Sequence, residues 1–293
     1  MSDKQQGLRV GIDIGGTAIK LAAVAGGRAP VCRSSDAYSQ PSREVLEQHL
    51  RTCWRKTLAE VGPAEAAPAA VGVCIAGPLA PDGVLEAAAN LPAMVGVEIA
   101  AWVQGVLGLA RPPCVLTDAL AAALGEHQAN PLPGRALYLA LGAGVGGAVL
   151  DDGRPLLLAR GTPGHFGHID VSGGAAEAPS TAAAGRGALE AYLGAEALRR
   201  AGIDLDTPAG LGHPALPAAL AALARALRIL LALYRPDHIV LVGGIGLKLR
   251  PLLPQLEAAV RDRLTTAAPA RFTLACGQAG YFAAALGAAA AGF

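Results

Sequence analysis

Charge is scarce in this chain: Asp, Glu, Lys and Arg make up 16% of its 293 residues and nearly cancel, for a formal net charge of +1. A nucleic-acid partner needs a basic face, and no basic cluster occurs along the sequence, so nucleic acid is excluded as a partner. Paired cysteines are lacking too. The five present (Cys32, Cys53, Cys74, Cys114, Cys276) are odd in number, scattered and without a CxxC pair. That leaves neither a disulfide framework nor a zinc knuckle, and it fits a reducing cytosol. The opening MSDKQQGLRV carries no apolar signal core, so the expected location is cytoplasmic. The longest apolar run, Leu216–Tyr234, contains Arg225 and Arg228 and precedes a proline; it reads as a buried helix, and no membrane partner is expected.

What is abundant is apolar surface. At 53% hydrophobic content a chain of this length can bury a sizeable core, and two lobes are expected. Within Val10–Thr17, Asp13 interrupts an apolar strand that then turns at Gly15, Gly16 and Thr17. A carboxylate in such a strand calls for an ion or hydrogen-bond donors, and glycines let backbone N–H groups approach an anion. Asp13 is then placed to face magnesium and Thr17 a phosphate, although a purely structural hairpin is equally compatible with so short a pattern. The design recurs at Ala136–Asp151, with Gly142, Gly144, Gly146 and Gly147 at the turn, which suggests a duplicated domain. A third glycine turn, Gly243–Gly244–Ile245–Gly246, follows the strand His238–Val242 and is a place for a nucleotide base and ribose. Three such turns imply a nucleotide cleft.

Strands at Leu8–Ile14, Ile19–Val24 and Ala69–Ile75 alternate with a helical stretch, Ser42–Val61, which is α/β patterning. Pro78, Pro81 and Gly83 punctuate a loop that ends at Asn90–Leu91–Pro92, before an expected helix at Ile99–Leu107 and a short strand at Pro113–Leu116. Asp118 then stands at a strand end and a helix start, where a carboxylate can act on a ligand or simply cap the helix. The expected division is a first lobe over residues 1–118, completed by a helix at about 281–293, and a second lobe over 119–280. The Gly/Ala/Ser-rich stretch Gly173–Gly187 lies in the second.

In order along the chain stand GIDIGGTAIK, IAGP (Ile75–Pro78), NLP (Asn90–Pro92), TDALAAALGE, LGAGVGG, GHFGH, GRGALEAY and VLVGGIG. This series resembles the ROK family of bacterial sugar kinases and related repressors, built on the two-lobed actin-like ATPase (ribonuclease H-like) fold with duplicated α/β domains and an interlobe cleft. No winged-helix segment precedes the first hairpin, which favours the kinase branch. The resemblance implies transfer of the γ-phosphate of ATP to a sugar 6-hydroxyl, with Asp118 as general base, a role worth roughly 10²–10⁴ in rate. It further implies Mg2+ at Asp13, phosphate oxygens at Gly15, Gly16, Thr17, Gly142, Gly144 and Gly146, and nucleoside at Gly243 and Gly244. Sugar contacts carry over to Gly77, Asn90, Asp118, His168 and Glu190, with His165 beside them, and a homodimer is implied.

The departures from the family pattern are as specific. Thr181, Ala183 and Ala188 stand where the family's zinc cysteines stand, so no zinc is expected. Ala143 replaces a hydroxyl residue of the second phosphate turn, and Leu120 an asparagine after the base. His165 replaces the glutamate of ExGH. Exchanging a charged acceptor for imidazole shifts roughly 1.5–3 kcal/mol of hydrogen bonding, enough to alter sugar preference. The same HxGH variant occurs in some bacterial N-acetylmannosamine kinases, which makes N-acetylmannosamine the leading acceptor. Glucose, other hexoses and a cyclitol stay open, as does a sugar-binding or regulatory protein without turnover. His49, His127, His213 and His238 have no such context.

Overall fold

An antiparallel hairpin, β1 (Arg9–Ile14) with β2 (Ile19–Val24), opens the computed structural model, which describes residues 7–62, 67–158, 163–181, 184–264 and 271–291. Next come β3 (Val31–Ser34), α1 (Arg43–Val61), β4 (Ala70–Ile75), α2 (Ile99–Leu107), β5 (Cys114–Thr117) and α3 (Asp118–Ala129). A second series follows: β6 (Arg135–Leu141), β7 (Val145–Asp151), β8 (Arg154–Pro155), β9 (Ser180–Thr181), β10 (Gly185–Arg186), α4 (Glu190–Leu193), α5 (Ala195–Arg200), α6 (Pro208–Leu211), α7 (Leu216–Tyr234), β11 (His238–Val242), α8 (Gly243–Lys248), α9 (Leu253–Arg261) and β12 (Thr273–Cys276). The final helix is α10 (Ala283–Ala291).

The chain divides into two units, one of Met1–Ala129 with Ala279–Phe293 and one of Asn130–Gln278. Each is built on a five-stranded mixed sheet, ordered β3-β2-β1-β4-β5 in the first and β12-β11-β6-β7-β8 in the second. Read from its hairpin outward, each sheet follows one plan. Its first three strands are antiparallel neighbours, and the fourth and fifth run parallel to the first. This is the duplication that the paired glycine hairpins suggest.

In the first unit the core lies between the sheet and α1 and α2, with Ile12, Ile14, Leu46, Leu50, Ile75, Met94 and Val103 fully buried. Ser42 caps α1 through a side chain that accepts from Val45 N, and Glu98 caps α2 by accepting from Ala100 N and Ala101 N. The other face of the sheet is covered by α10 at backbone range. A Cβ on Gly11 would lie 1.8 Å from the Ala285 carbonyl oxygen, and one on Gly72 1.9 Å from that of Ala288. Helix α3 closes on α10 in the same way: a Cβ on Gly125 would lie 1.9 Å from Ala283 O and one on Gly287 1.7 Å from Ala121 O. Side-chain-free surface on four elements allows an alanine helix to seat where a leucine helix could not.

This packing carries α3 into the first unit. The division therefore falls after Ala129 and not after Asp118, where the sequence pattern placed it.

In the second unit, among the described residues, α7 contributes more to the core than any other single element. Leu216, Leu220, Leu223, Leu227, Leu230 and Leu231 are buried against β6, β11 and α9, while Arg228 and Leu233 on its outer face are exposed. Arg225 donates from Nε to the carbonyl of Val171 at 2.5 Å. Among the described residues α7 is the one helix long and apolar enough to cross a membrane, and its leucine face is occupied by this core.

Candidate functional site

In the first unit a charged corner forms where the parallel strands β1, β4 and β5 end. Strand β1 is buried from Val10 onward, and Asp13, one residue from its end, is only 5% exposed. Antiparallel register sets Lys20 of β2 opposite it, and parallel register sets Cys74 of β4 on its other side. Lys20 Nζ donates to Asp13 Oδ2 at 3.0 Å and lies 4.4 Å from the centroid of the Tyr281 ring. Cys74 Sγ is 3.8 Å from both Asp13 Oδ1 and the Ala284 carbonyl oxygen.

Asp118 begins α3 directly after β5. The Thr117 hydroxyl accepts from Leu120 N at 3.4 Å, while Asp118 Oδ1 accepts from its neighbour Ala119 N at 2.8 Å. Burial, and next the negative charge of Asp13, push the Asp118 carboxyl up to about 6. The Cys74 thiol is driven well above its ordinary range by burial and by both aspartates. Burial works to lower the Lys20 pKa, but the charge and hydrogen bond of Asp13 outweigh it and the net direction is up. Two carboxyls and one ammonium thus share the corner. Mg2+ commonly takes one or two carboxylates together with substrate phosphates and water, so this donor set fits an ion that arrives with a polyphosphate.

The first glycine turn is braced from outside. Gly15 N donates to Ala18 O at 3.2 Å, Tyr38 OH donates to Gly15 O at 2.7 Å, and Tyr38 N donates to Thr17 O at 2.9 Å. Thr17 itself is exposed. A Cβ on Gly16 would lie 2.6 Å from Asn90 Cβ, so the structure brings these two expected contacts together. Gly77 has φ +133°, and a Cβ there would meet the Ala87 carbonyl oxygen at 2.2 Å, which gives this glycine a packing requirement of its own.

In the second unit the turn between β6 and β7 is shorter than the glycine pattern suggests. Gly142 N donates to Gly144 O at 2.9 Å, closing the turn, but Gly146 lies within β7, paired with Ala140. Gly147 is also a strand residue, and a Cβ on it would fall 2.3 Å from the Phe166 ring. The expectation that all four glycines lie in the turn is therefore corrected: Gly142 and Gly144 turn the chain, while Gly146 and Gly147 build the strand, Gly147 against the Phe166 ring. His165 and His168 are exposed and stand together, ring centroids 5.3 Å apart. Gly243 has φ +81° and begins α8, where a Cβ would meet Leu141 O at 2.5 Å; a Cβ on Gly244 meets nothing. The third glycine segment is thus the first turn of a short helix and not a free loop.

Glu190, expected at the sugar, has one oxygen already engaged. Its Oε2 accepts from Val145 N at 2.8 Å, at the end of the Gly142–Gly144 turn. Of the positions where the family's zinc cysteines stand, Thr181 accepts through its hydroxyl from Ala184 N, Ala188 is buried, and Ala183 lies outside the described residues.

Sequence reasoning missed Lys20, Tyr38 and Glu126. Glu126, 2% exposed, accepts from Ala279 N at 2.8 Å and ties α3 to the segment that leads into α10. Lys20 had a readable signal: across a four-residue turn it is the residue that an antiparallel hairpin places opposite Asp13.

Comparison with known proteins places these features in context. The family described as "ROK family" matches residues 9–291. A curated relative, the bifunctional enzyme NanE/NanK of Brucella melitensis biotype 1, is 32% identical over 176 residues, which are 54% of this chain and 33% of the relative. The match thus spans about a third of that relative's length. Among solved structures, the ROK hexokinase from Thermus thermophilus is 28% identical, with 96% of each chain covered and a TM-score of 0.75. A ROK family glucokinase from Streptomyces griseus, solved with glucose and AMPPNP, is 23% identical over 97% of this chain and 98% of its own, with a TM-score of 0.76, and shares the fold.

Proposed function

The chain belongs to the ROK family, and from that premise we propose that it is an ATP-dependent sugar kinase acting on the 6-hydroxyl of a hexose or N-acylhexosamine, with Asp118 as the general base. The observation that carries this reading is the corner of Asp13, Lys20 and Asp118, in which the Asp118 carboxyl is raised to about 6. At neutral pH such a group is mostly ionised yet basic enough to take a proton from a hydroxyl, the compromise that general-base catalysis needs. As the hydroxyl oxygen bonds to the γ-phosphorus and the bond to the bridging oxygen of ADP breaks, the hydroxyl proton passes to the Asp118 carboxylate.

Asp13 is the residue that would hold magnesium, which neutralises phosphate charge when bound. Lys20 keeps the Asp13 carboxylate in one orientation. The glycine turns at Gly15–Gly16 and Gly142–Gly144 are assigned to phosphate oxygens. Asn90, His165, His168 and Glu190 are assigned to sugar hydroxyls. The 28% identical Thermus thermophilus hexokinase supports a sugar acceptor. Within that class N-acetylmannosamine leads, because His165 replaces an anionic acceptor with an imidazole.

Ala143, where the turn lacks its hydroxyl, favours a second reading: a sugar-binding protein without turnover. Coupled ADP release with ATP and magnesium, against N-acetylmannosamine, N-acetylglucosamine, glucose, mannose, fructose and allose, separates the two. Turnover is expected on at least one acceptor, with a loss of about 10²–10⁴ in kcat for Asp118→Asn. Silence on every acceptor from a folded protein that still binds a sugar would establish the second reading. A homodimer is part of the proposal, and light scattering tests it.

A further inference from the structure

Three residues of one short stretch, Glu190, Gly194 and Ala195, converge on the turn between β6 and β7. Glu190 Oε2 accepts from Val145 N at 2.8 Å. The same carboxylate lies over the turn so closely that a Cβ on Gly144 would be 2.7 Å from Oε2. Ala195 N donates to Gly142 O at 3.0 Å, and a Cβ on Gly194 would stand 3.4 Å from Ala143 O. On its other side the stretch is bonded to the histidine segment. Leu189 N donates to Ile169 O at 3.0 Å, and the turn His165–Ile169 is closed by His168 N to His165 O at 3.0 Å and Ile169 N to Phe166 O at 3.3 Å.

A carboxylate beside a turn meant for phosphate is an electrostatic liability. Repulsion between like charges disfavours both, and the Val145 N–H that Glu190 occupies is a donor withheld from any anion. The arrangement makes sense if that donor is given up to fix the turn. Gly142 and Gly144 have little conformational preference of their own, and Ala143 offers no hydroxyl to pin the backbone, so the turn needs an external partner to hold one shape. Glu190 is that partner: one oxygen is fixed on Val145, and among the described residues no donor meets the second.

We propose that Glu190 is a positioning residue for the second phosphate turn, so that it sets nucleotide affinity in the absence of any sugar; the proposal rests on the kinase reading for the identity of the anion. Glu190 then links the two substrates through one side chain, since the segment that carries it is also bonded to the one bearing His165 and His168.

The test uses the full chain without sugar, with two readouts: titration with a fluorescent ATP analogue and magnesium, and amide exchange at Gly144 and Val145 with no ligand. Glu190→Gln keeps a carbonyl acceptor for Val145 N–H and removes the charge. Glu190→Ala removes the acceptor, and Glu190→Asp keeps the charge but withdraws it by one methylene. Nucleotide affinity within about threefold of wild type is expected for Gln, with a loss of tenfold or more for Ala and Asp, and exchange at Val145 should accelerate in the latter two only. In steady state Gln should raise KM for the sugar and leave KM for ATP, a split that a general loss of structure would not give. Ala and Asp variants that bind nucleotide like wild type, or a Gln variant as weak as Ala, would overturn the positioning role. Should wild type bind no nucleotide, the kinase reading fails. The exchange comparison then decides the brace alone, with unchanged protection in Ala and Asp refuting it and accelerated exchange supporting it.

Discussion

At the residue scale the corner around Asp13 shows a conflict between stability and chemistry. Asp118 has its carboxyl raised to about 6 from an ordinary 3.8, so folding makes ionising it harder. Between those two pH values the folded state holds more protons than the unfolded one, and stability falls as pH rises through that window. At pH 7 the group therefore costs stability, on the order of 1–3 kcal/mol from a shift of this size. Asp118→Asn keeps an acceptor for Ala119 N and removes the charge, so it should raise the urea midpoint at pH 7, lose that advantage below about pH 4, and lower kcat by about 10²–10⁴. In wild type kcat/KM should fall as pH drops below about 6. A variant no more stable than wild type at pH 7 would mean that Asp118 is well solvated and its raised pKa illusory. Asp13 was legible in the sequence because a lone carboxylate in an apolar strand stands out, and Asp118 because it stands between a strand end and a helix start, its assignment as base resting on the family resemblance. Lys20 was not read, because its meaning lies in strand register: only a count across the four-residue turn pairs it with Asp13.

At the element scale the sequence marks α10 as a helix, but composition alone does not explain its run of alanines around the single Gly287. The explanation is backbone contact: Gly287 and Gly125 allow α10 and α3 to touch, and Gly11 and Gly72 allow α10 to lie on the sheet. Helix propensity alone favours Gly→Ala by about 1 kcal/mol. At Gly287 the new Cβ would stand 1.7 Å from Ala121 O, a backbone atom that cannot rotate away. Overpacking of a fixed core costs about 1–3 kcal/mol and wins here. Gly287→Ala should lower the thermal midpoint and release amide protection in α3, α10 and β1 while α7 keeps its own. Gly105→Ala in α2, where a Cβ meets nothing within 4 Å, is the control and should be neutral or stabilising. Equal effects at both positions would remove close packing as the reason for the glycines. The same contacts account for the position of the unit boundary: α3 follows Asp118 in sequence but belongs with α10, and long-range helix pairing leaves no local signature.

At the scale of the whole molecule the two units repeat one plan, a hairpin with a glycine turn leading a five-stranded sheet whose outer strands run parallel to the first. The repeat was legible because each hairpin alternates apolar strands with glycines. The differences between the copies were not, because they depend on what packs outside the turn. The first turn is held by Tyr38 OH on Gly15 O and leaves Thr17 exposed, whereas the second is held by Glu190 on Val145 N and lacks a hydroxyl at Ala143. If both copies serve the phosphates of one nucleotide, an ATP analogue with magnesium should slow amide exchange at Gly15–Thr17 and at Gly142–Val145 together, with the same dependence on concentration. At 100 times its Kd a ligand that binds only the folded state stabilises it by about 2.7 kcal/mol, ample for the effect to be read in both units. Protection confined to one turn would mean that the duplicated hairpin kept its shape in both units and its phosphate role in only one. In that case a retained glycine pattern is evidence of ancestry and packing, and the ligand must be assigned turn by turn.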